Sequence, residues 1–239
     1  MSIPPIPQDP DPLDWLERER RQPGGPRLDF RRQLTRCDAH LVAAGRLVAD
    51  MIQPVTTAFL EADVHAAAKM GDVDVEVGRR CVRLEEACYA LLARQSPVAG
   101  DLRRVVAVLR SSLDVQRSGD LLRHVADSLT WVHPPAMAQE LRGTVALLGS
   151  VSAEIFAGAL AAWQAHDGLA ANELQERDDQ VDLLEKCLLT ELYTGRQSVE
   201  ETVSLALIAR YYERIADHGV EMARQVAYFV TGARLTGQG

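Results

Sequence analysis

Aromatic residues are scarce in this chain, and turn-forming residues do not recur at the short intervals that a β-rich fold needs. Phe, Trp and Tyr make up 5% of the 239 residues, against 47% for all hydrophobic residues together. Sandwiches and barrels place turn signals about every ten residues, and the middle of this sequence lacks them. These absences argue against an all-β protein and predict an all-α one.

Lysine is almost absent, and acidic residues outnumber basic ones. Only Lys69 and Lys186 are lysines, and the 26 Lys and Arg residues face 34 Asp and Glu, for a formal net charge of -8. Nucleic-acid-binding proteins normally present a basic face, and peripheral membrane anchors carry basic clusters. We therefore expect no nucleic-acid partner, and membrane contact only through other proteins.

The sequence also lacks closely spaced cysteines, long apolar runs and a secretory signal. Its cysteines are Cys37, Cys81, Cys88 and Cys187. Each falls in a helical apolar pattern, so we expect buried, reduced thiols and neither a zinc finger nor a disulfide framework. No apolar run approaches the roughly 20 residues that span a bilayer. The opening MSIPPIPQDPDP has no basic or apolar signal region, so we expect a cytoplasmic protein.

Helical periodicity begins where the early prolines end. Residues 1–26 hold seven of the eleven prolines and are predicted to be disordered, because proline lacks a backbone donor and resists helix formation. Beyond them, apolar residues recur at helical spacing. Pro54 is expected to kink or break the first helix. The predicted helices span residues 28–62, 63–94, 99–131, 137–165, 167–193 and 198–230.

Three of these helices show an apolar stripe, which we expect to be buried. The stripe of the first helix comprises Phe30, Leu34, Leu41, Val48, Ile52, Val55 and Phe59. The stripe of the third comprises Leu102, Val106, Leu109, Leu113, Leu121, Val125 and Leu129. The stripe of the sixth comprises Val203, Leu207, Tyr211, Ile215, Met222, Val226 and Phe229.

The two halves of the chain repeat each other. Asp63 and Asp74 recur 104 residues later as Asp167 and Asp178. The third helices match at an offset of 97 residues, and two helical turns account for the difference between the offsets. Because polar positions recur as well as apolar ones, we predict two tandem three-helix bundles, residues 27–133 and 136–233.

The dipeptide His166–Asp167 resembles the metal-binding pair of all-helical phosphohydrolases. Its repeat counterpart is Ala62–Asp63, which has no histidine, and each aspartate stands where a helix is predicted to begin. An aspartate there accepts a hydrogen bond from a free N–H of the first turn. We therefore interpret both aspartates as helix caps.

Carboxylates line one face of the fifth predicted helix and one face of the sixth. Asp178, Asp182 and Glu185 are spaced i, i+4 and i+7, and Glu213 and Asp217 are spaced i and i+4. Converging hard oxygen ligands suit Mg²⁺, Ca²⁺, Mn²⁺ or iron. The alternative is a solvated acidic face bridged by arginines of the sixth helix. Without a Glu-x-x-His pair, a ferritin-like di-iron bundle is not indicated.

Four stretches carry a family resemblance. IARYYERIADH (208–218) is similar to the signature helix of the PhoU family, and QSPVAGDLR (95–103) is similar to its Q-Q-P-V-A-x-D-L-R connector. LDVQRSGD (113–120) resembles its D-L-E-R-I-G-D element, and VAYFVTG (226–232) resembles its closing Y-L-V-T-G. The resemblance covers residues 28–233.

This resemblance implies a cytoplasmic regulator that is not an enzyme, built from two similar three-helix bundles. It implies that the protein represses the phosphate-starvation response by linking the ATPase subunit of a phosphate ABC transporter to a sensor histidine kinase, and that it forms a homodimer. It also implies bound iron, zinc, magnesium or manganese on the repeated E/D-x-x-x-D faces. The ligands in the second half would be Asp178, Asp182, Glu185, Glu213 and Asp217.

The first half departs from the family pattern. Gln116 stands where the family has Glu, while Gly78 and Cys81 stand where the repeat has Asp182 and Glu185. The acidic residues that remain are Asp74, Asp114 and Asp120. We predict an asymmetric protein, with a usable metal site in the second bundle and a degenerate one in the first.

Two other functions stay open: an all-helical metal-dependent phosphohydrolase and a metal-free helical scaffold. The phosphohydrolase needs a histidine-rich ligand set, whereas the six histidines are scattered and only His218 adjoins the carboxylates. At i+1 from Asp217, His218 should point partly away from them. P-loop, G-x-S-x-G and Cys–His nucleophile motifs are not found. In a scaffold, the acidic faces would simply be solvated.

Overall fold

The protein is a six-helix structure in which each half of the chain contributes three long helices. A computed structural model describes residues 26–195 and 197–233, and no β-strand occurs in these ranges. The predicted disordered segment, 1–26, lies outside the described residues except for Pro26. The helices are α1 (Pro26–Glu61), α2 (Val64–Gln95), α3 (Ala99–Asp127), α4 (Gln139–Ala165), α5 (Ala170–Thr194) and α6 (Val199–Thr231).

The helix boundaries follow local capping chemistry. Asp63 caps α2 as predicted, since its Oδ1 accepts a hydrogen bond from the Ala66 N–H at 2.9 Å. The same prediction for Asp167 is wrong, because α5 begins only at Ala170. There the Asp167 carboxylate accepts from the Leu169 N–H at 2.9 Å within the connecting turn. An aspartate side chain that bonds the backbone two residues on forms a turn of its own.

Two predicted interruptions differ in the structure. The backbone stays helical through Pro54, so this residue does not break α1. By contrast, α3 ends at Asp127, earlier than the predicted residue 131, and the chain continues as a 3₁₀ turn, Ser128–Thr130. The Ser128 hydroxyl donates to the carbonyl of His124 at 2.8 Å. A second 3₁₀ turn, Pro134–Ala136, joins the two halves.

The predicted pair of three-helix bundles is confirmed, and the two bundles share one core. In the first bundle α2 packs against α1 and α3, and in the second α5 packs against α4 and α6. Between the bundles α1 packs against α4, and α3 packs against α6. The buried apolar side chains of all six helices form a single cluster. The boundaries 27–133 and 136–233 stay predictions.

Glycines allow the close approach of α1 and α4. A Cβ atom at Gly45 of α1 would lie 2.5 Å from Leu160 Cδ2 of α4, and one at Gly149 of α4 would lie 2.7 Å from Thr56 Cγ2 of α1. These two glycines are repeat counterparts, 104 residues apart. The crossing is therefore symmetric, with one glycine from each bundle.

A buried hydrogen-bond chain joins the bundles beside this crossing. The hydroxyls of Thr56 and Tyr212 are 2.7 Å apart, and Thr56 also donates to the Ile52 carbonyl at 2.7 Å. Ser152 of α4 donates to the Tyr212 carbonyl at 3.0 Å. Buried polar groups need such partners, because an unpaired one costs about 1–3 kcal/mol. These hydrogen bonds thus link α1, α4 and α6.

The predicted apolar stripes hold for α1 but only in part for α3 and α6. Every residue of the α1 stripe is buried. Leu102 and Leu113 of α3 are 40% and 48% exposed, and Val203 and Leu207 of α6 are 54% and 46% exposed, so these assignments are wrong. Each of these two helices packs on both bundles, so its buried surface is wider than one stripe. Small polar residues such as Ser118 occupy part of it.

Two expectations drawn from composition need correction. Three cysteines are buried as predicted, but Cys187 is exposed on α5. One helix, α4, is long and apolar enough to cross a membrane by length and composition, contrary to the expectation that none would be. Half of the most apolar 18-residue stretch of this helix is buried within the protein. The core helix of a soluble protein passes the same test, so this is weak evidence for a membrane span.

We expect Gly149→Ala to lower the free energy of unfolding by about 1–3 kcal/mol, because the new methyl group must displace the β-branched side chain of Thr56. Gly143→Ala in the same helix is the matched control. A Cβ there meets nothing within 4 Å, so this change should stabilise the protein by about 0.5–1 kcal/mol. Urea unfolding of both variants measures the difference, and equal effects would contradict the tight crossing.

Candidate metal site

Three carboxylates of the second bundle converge between α5 and α6. Asp182 and Glu185 belong to α5, and Glu213 belongs to α6. One carboxylate oxygen from each lies within 4.8 Å of the other two. The two helices are consecutive in the chain and pack against each other, so that residues near the middle of α5 face residues near the middle of α6. The helical spacing of Asp182 and Glu185 puts both on the face that α6 approaches.

Glu213 is the most enclosed of the three. It is 7% exposed, and its Oε1 pairs with the Arg210 guanidinium at 2.5 Å, while its Oε2 is buried without a hydrogen-bond partner. Burial, together with the nearby Asp217, raises its pKa from 4.5 to about 7 although Arg210 opposes the shift. Of the two arginines expected to bridge a solvated acidic face, Arg214 and Arg210, Arg210 thus pairs with Glu213, and it satisfies one oxygen only.

Asp178 and Asp217 flank this group. Asp178 is 6% exposed, and its Oδ2 accepts from Gln175 Nε2 at 3.3 Å, whereas its Oδ1 is buried without a partner. Burial, reinforced by Asp217 and Asp182, raises the pKa of Asp178 from 3.8 to about 6. Asp217 is exposed. Its influence on the pKa values of Asp178 and Glu213 places it within electrostatic reach of both.

This arrangement fits a hard cation. Two buried oxygens, Asp178 Oδ1 and Glu213 Oε2, lack hydrogen-bond donors, and three carboxylates already bring ligand atoms together. Oxygen donors of this type suit magnesium, manganese or iron, and zinc also accepts carboxylates. A bound cation would remove the mutual repulsion that otherwise favours protonation. The residues present therefore fit a metal ion.

In the first bundle, the guanidinium of Arg123 supplies a positive charge beside the acidic residues. Arg123 Nε lies 2.9 Å from Asp74 Oδ2, and its Nη1 lies 3.1 Å from Asp127 Oδ2. Burial raises the pKa of Asp74, Asp120 adds to the rise, and Arg123 opposes it. At the offset that aligns Asp120 with Asp217, the counterpart of Arg123 is Val220, a buried apolar residue. The second cluster thus has no arginine at the position of Arg123.

The structure separates Asp114 from Asp74 and Asp120. Asp114 lies buried between α3 and α6, and its Oδ1 is 3.1 Å from Nδ1 of His218. His218 is thus oriented toward the first bundle, in keeping with its position next to Asp217. Of the three acidic residues proposed for a degenerate site, only Asp74 and Asp120 are electrostatic neighbours.

Arg123, which pairs with acidic residues of the first bundle, was not predicted from the sequence. Its spacing from Asp120 (i+3) and Asp127 (i−4) was a readable signal on one helix. Its contact with Asp74 was not readable, because that residue lies on another helix, 49 positions earlier in the chain. Gly78 and Cys81, which replace acidic residues of the repeat, offer no charge: Gly78 adds no side chain and Cys81 is buried.

We expect the metal-free protein to become less stable as pH rises from about 4 to about 8. An acid whose pKa is raised by folding stabilises the folded state fully below its unfolded pKa, here 4.5 for Glu213, and this contribution is lost as pH rises through about 7. Glu213→Gln removes that titration. At pH 8 the variant should be more stable than the wild type by about 1–3 kcal/mol.

Urea unfolding in the presence of EDTA at pH 5, 6.5 and 8 measures this dependence. Glu176→Gln, at an exposed position of α5, is the matched control and should keep the wild-type pH profile. Parallel profiles for Glu213→Gln and the wild type would show that Glu213 is not held in an unfavourable charged state.

Comparison with known proteins agrees with this architecture. The family model described as the PhoU domain matches the chain twice, over residues 41–129 and 145–226. The phosphate-specific transport system accessory protein PhoU homolog 2 of Mycobacterium tuberculosis is 34% identical over 210 residues, which span 87% of this chain and 99% of the relative.

Solved structures give the same result. The crystal structure of PhoU from Pseudomonas aeruginosa aligns with a TM-score of 0.80 and 27% identity, over 85% of this chain and 100% of that chain. The phosphate transport system regulatory protein PhoU from Streptococcus pneumoniae has a TM-score of 0.79, covering 87% and 99% of the two chains, and at 23% identity it shows the fold alone. The chain, matched in both of its halves and along most of its length, belongs to the PhoU family.

Proposed function

We propose that this protein is a non-catalytic regulator of phosphate uptake that works with a phosphate-specific transport system. The observation that carries this function is the match, over 87% of the chain, to a phosphate-specific transport system accessory protein. The chain covers 99% of that relative, so the likeness extends over nearly the whole length of the accessory protein. Three of the quoted motifs, at 95–103, 113–120 and 208–218, lie within the residues that the PhoU domain model matches.

In this proposal the protein acts in the cytoplasm as a homodimer. It contacts the ATPase subunit of the phosphate transporter and a sensor histidine kinase, and it represses the phosphate-starvation response when phosphate is plentiful. Its membrane contact runs through these partners. The formal net charge of -8 supports protein partners over nucleic acid, because a nucleic-acid surface would repel an acidic protein.

The second bundle would hold the metal ion through Asp182, Glu185 and Glu213, with Asp178 and Asp217 beside them. Two features support this: the proximity of three ligand oxygens and the two buried oxygens without donors. A bound cation would neutralise the cluster and tie α5 to α6. The ion would be iron, zinc, magnesium or manganese. In the first bundle, Arg123 would take the place of the ion.

The phosphohydrolase alternative receives no support from the histidines. His166, the residue of the HD-like dipeptide, has its Nε2 3.2 Å from Arg104 Nη2 and its ring edge-on to Phe229. The adjacent Asp167 bonds the Leu169 N–H instead. In the described part of the chain, the group of His, Cys, Asp and Glu side chains close enough to hold an ion is made of carboxylates only.

We expect Glu213→Ala with Asp217→Ala to remove the metal from the second bundle. Protein purified without chelators should lose at least about 90% of its metal by elemental analysis, since a single lost ligand or its support typically costs 10–100-fold in metal affinity. Asp74→Ala with Asp120→Ala, the same change at the repeat positions, is the matched control and should leave the metal content unchanged. Equal metal content in the wild type and the Glu213/Asp217 variant would overturn the metal site, as would a metal-free wild type.

The regulatory function is tested by a pull-down from phosphate-replete cells with the tagged full-length chain. We expect recovery of the transporter ATPase or the sensor kinase, identified by mass spectrometry. A parallel phosphatase assay with added Mg²⁺, Mn²⁺, Zn²⁺ or Fe²⁺ should show no turnover. Turnover that Glu213→Ala abolishes would favour the phosphohydrolase. Failure to recover either partner would argue against the regulator.

A further inference from the structure

A cleft with a volume of about 670 Å³ lies between the two bundles. Small-molecule sites typically occupy 300–1,000 Å³, with apolar walls and a few placed polar groups. A face of α1 forms one wall of the cleft. Arg104 of α3 and the end of α4 form the other sides. The cleft shares no residue with the carboxylate cluster. The side chains that line it include Asp38, Val42, Arg46, Arg104, Trp163 and His166.

Arg104 is held in place from three other helices. It pairs with Asp38 of α1, its Nη2 is 3.2 Å from His166 Nε2 at the end of α4, and its guanidinium carbon lies 5.8 Å from the centre of the Phe229 ring of α6. Its Nε is buried without a hydrogen-bond partner. A guanidinium fixed in this way, on a side chain that stays 23% exposed, is preorganised to bind an acceptor from the cleft.

The negative charge of Asp38, which lines the cleft, is already neutralised by Arg104. Asp38 is buried, and besides its ion pair with Arg104 it accepts a hydrogen bond from Trp163 Nε1 at 3.1 Å. One carboxylate therefore balances one guanidinium. Burial and the neighbouring Arg104 lower the pKa of His166, so that side chain offers a neutral imidazole at neutral pH.

Arg46 supplies the positive charge that is left over. It lies eight residues after Asp38 on α1, two helical turns or about 12 Å further along the wall. Its Nη2 donates to Gln164 Oε1 at 3.0 Å, and within the described part of the chain it has no carboxylate partner. Ala39, Val42 and Ala43 line the wall between the two ends. The cleft thus has a cationic end, a small apolar floor and a polar end.

Two residues that line the cleft differ in chemistry from their repeat counterparts. His166 has a φ of 52°, a left-handed conformation that usually selects Gly or Asn and costs other residues about 1 kcal/mol. Its counterpart in the first half is Ala62, with a φ of 56°. The counterpart of Asp38 is Arg142, which donates to the carbonyls of Leu60 and Pro134 at 2.8 and 2.7 Å.

We propose that this cleft binds a small organic anion, whose phosphate or carboxylate group pairs with Arg46 and whose polar body reaches Arg104 and His166 across the alanine and valine floor. Arginine recognises both groups with two parallel hydrogen bonds. The site is independent of the carboxylate cluster and of the regulatory function proposed above.

Isothermal titration of the full-length protein with four probes tests the ligand class. AMP carries a phosphate on a polar body, citrate carries carboxylates, adenosine is a body without an anion, and inorganic phosphate is an anion without a body. We expect AMP or citrate to bind, and the stronger of the two identifies the preferred anionic group. Adenosine or inorganic phosphate binding as tightly as AMP would overturn the organic anion, as would the absence of binding by all four.

Variants place the binding in the cleft. Arg46→Gln, at an exposed position, should keep the wild-type unfolding midpoint and weaken binding at least about tenfold, the loss of one charge-assisted contact. Arg110→Gln, at an exposed position of α3 outside the cleft, is the matched control and should bind as the wild type does. Equal affinities for Arg46→Gln and Arg110→Gln would contradict the site.

The indole N–H resonance of Trp163 gives an independent readout, because this group lines the cleft. In a ¹H–¹⁵N spectrum it should shift on ligand addition, while the resonance of the exposed Trp131 should not. Trp131→Phe and Trp15→Phe assign the peaks. Binding that leaves the Trp163 resonance in place would put the ligand elsewhere and overturn the proposal.

Discussion

The close crossing of α1 and α4 is the constraint on which the rest of the structure depends. Gly45 and Gly149 let the two backbones approach, and a side chain at either position would overlap Leu160 or Thr56. Because the glycines are repeat counterparts, each bundle contributes one half of the contact. With α1 and α4 closely packed, α3 also packs against α6. The six helices therefore bury their apolar side chains in one core. A looser crossing would leave two small bundles, each with a thinner core.

The shared core explains the electrostatics of α6. This helix is covered by α5 on one side and by α3 and α4 on others, so Glu213 and His218, five residues apart, are both buried. His218 meets Asp114 of the first bundle, and Glu213 meets the carboxylates of α5. The raised pKa values of Asp178 and Glu213 follow from this enclosure, since a buried carboxylate without sufficient donors favours its neutral form.

The two halves share a backbone plan but differ in how they balance charge. In the first half, Arg123 pairs with Asp74 and Asp127, whereas the second cluster has Val220 at the equivalent place and more carboxylates. A similar divergence separates Asp38 from Arg142 and His166 from Ala62, and the cleft is lined by Asp38 and His166. A duplicated fold thus has two equivalent positions for each site. Substitutions can preserve the site in one half and change its charge or shape in the other.

The sequence by itself determined the six helices, the duplication and the helix faces that carry the acidic residues of the second bundle. Helical spacing and the i, i+4 rule act within one helix, so the stripe of α1 and the shared faces of Asp178, Asp182 and Glu185 could be read directly. The tertiary structure alone decided which side of α3 and α6 is buried, because a helix packed on both bundles has no single apolar stripe, as Leu102, Leu113 and Val203 show. It also decided that Asp114 faces His218, that Arg123 reaches Asp74, and that Arg104 meets Asp38 and His166. Each of these contacts joins residues far apart in the chain, and their distances depend on how whole helices pack.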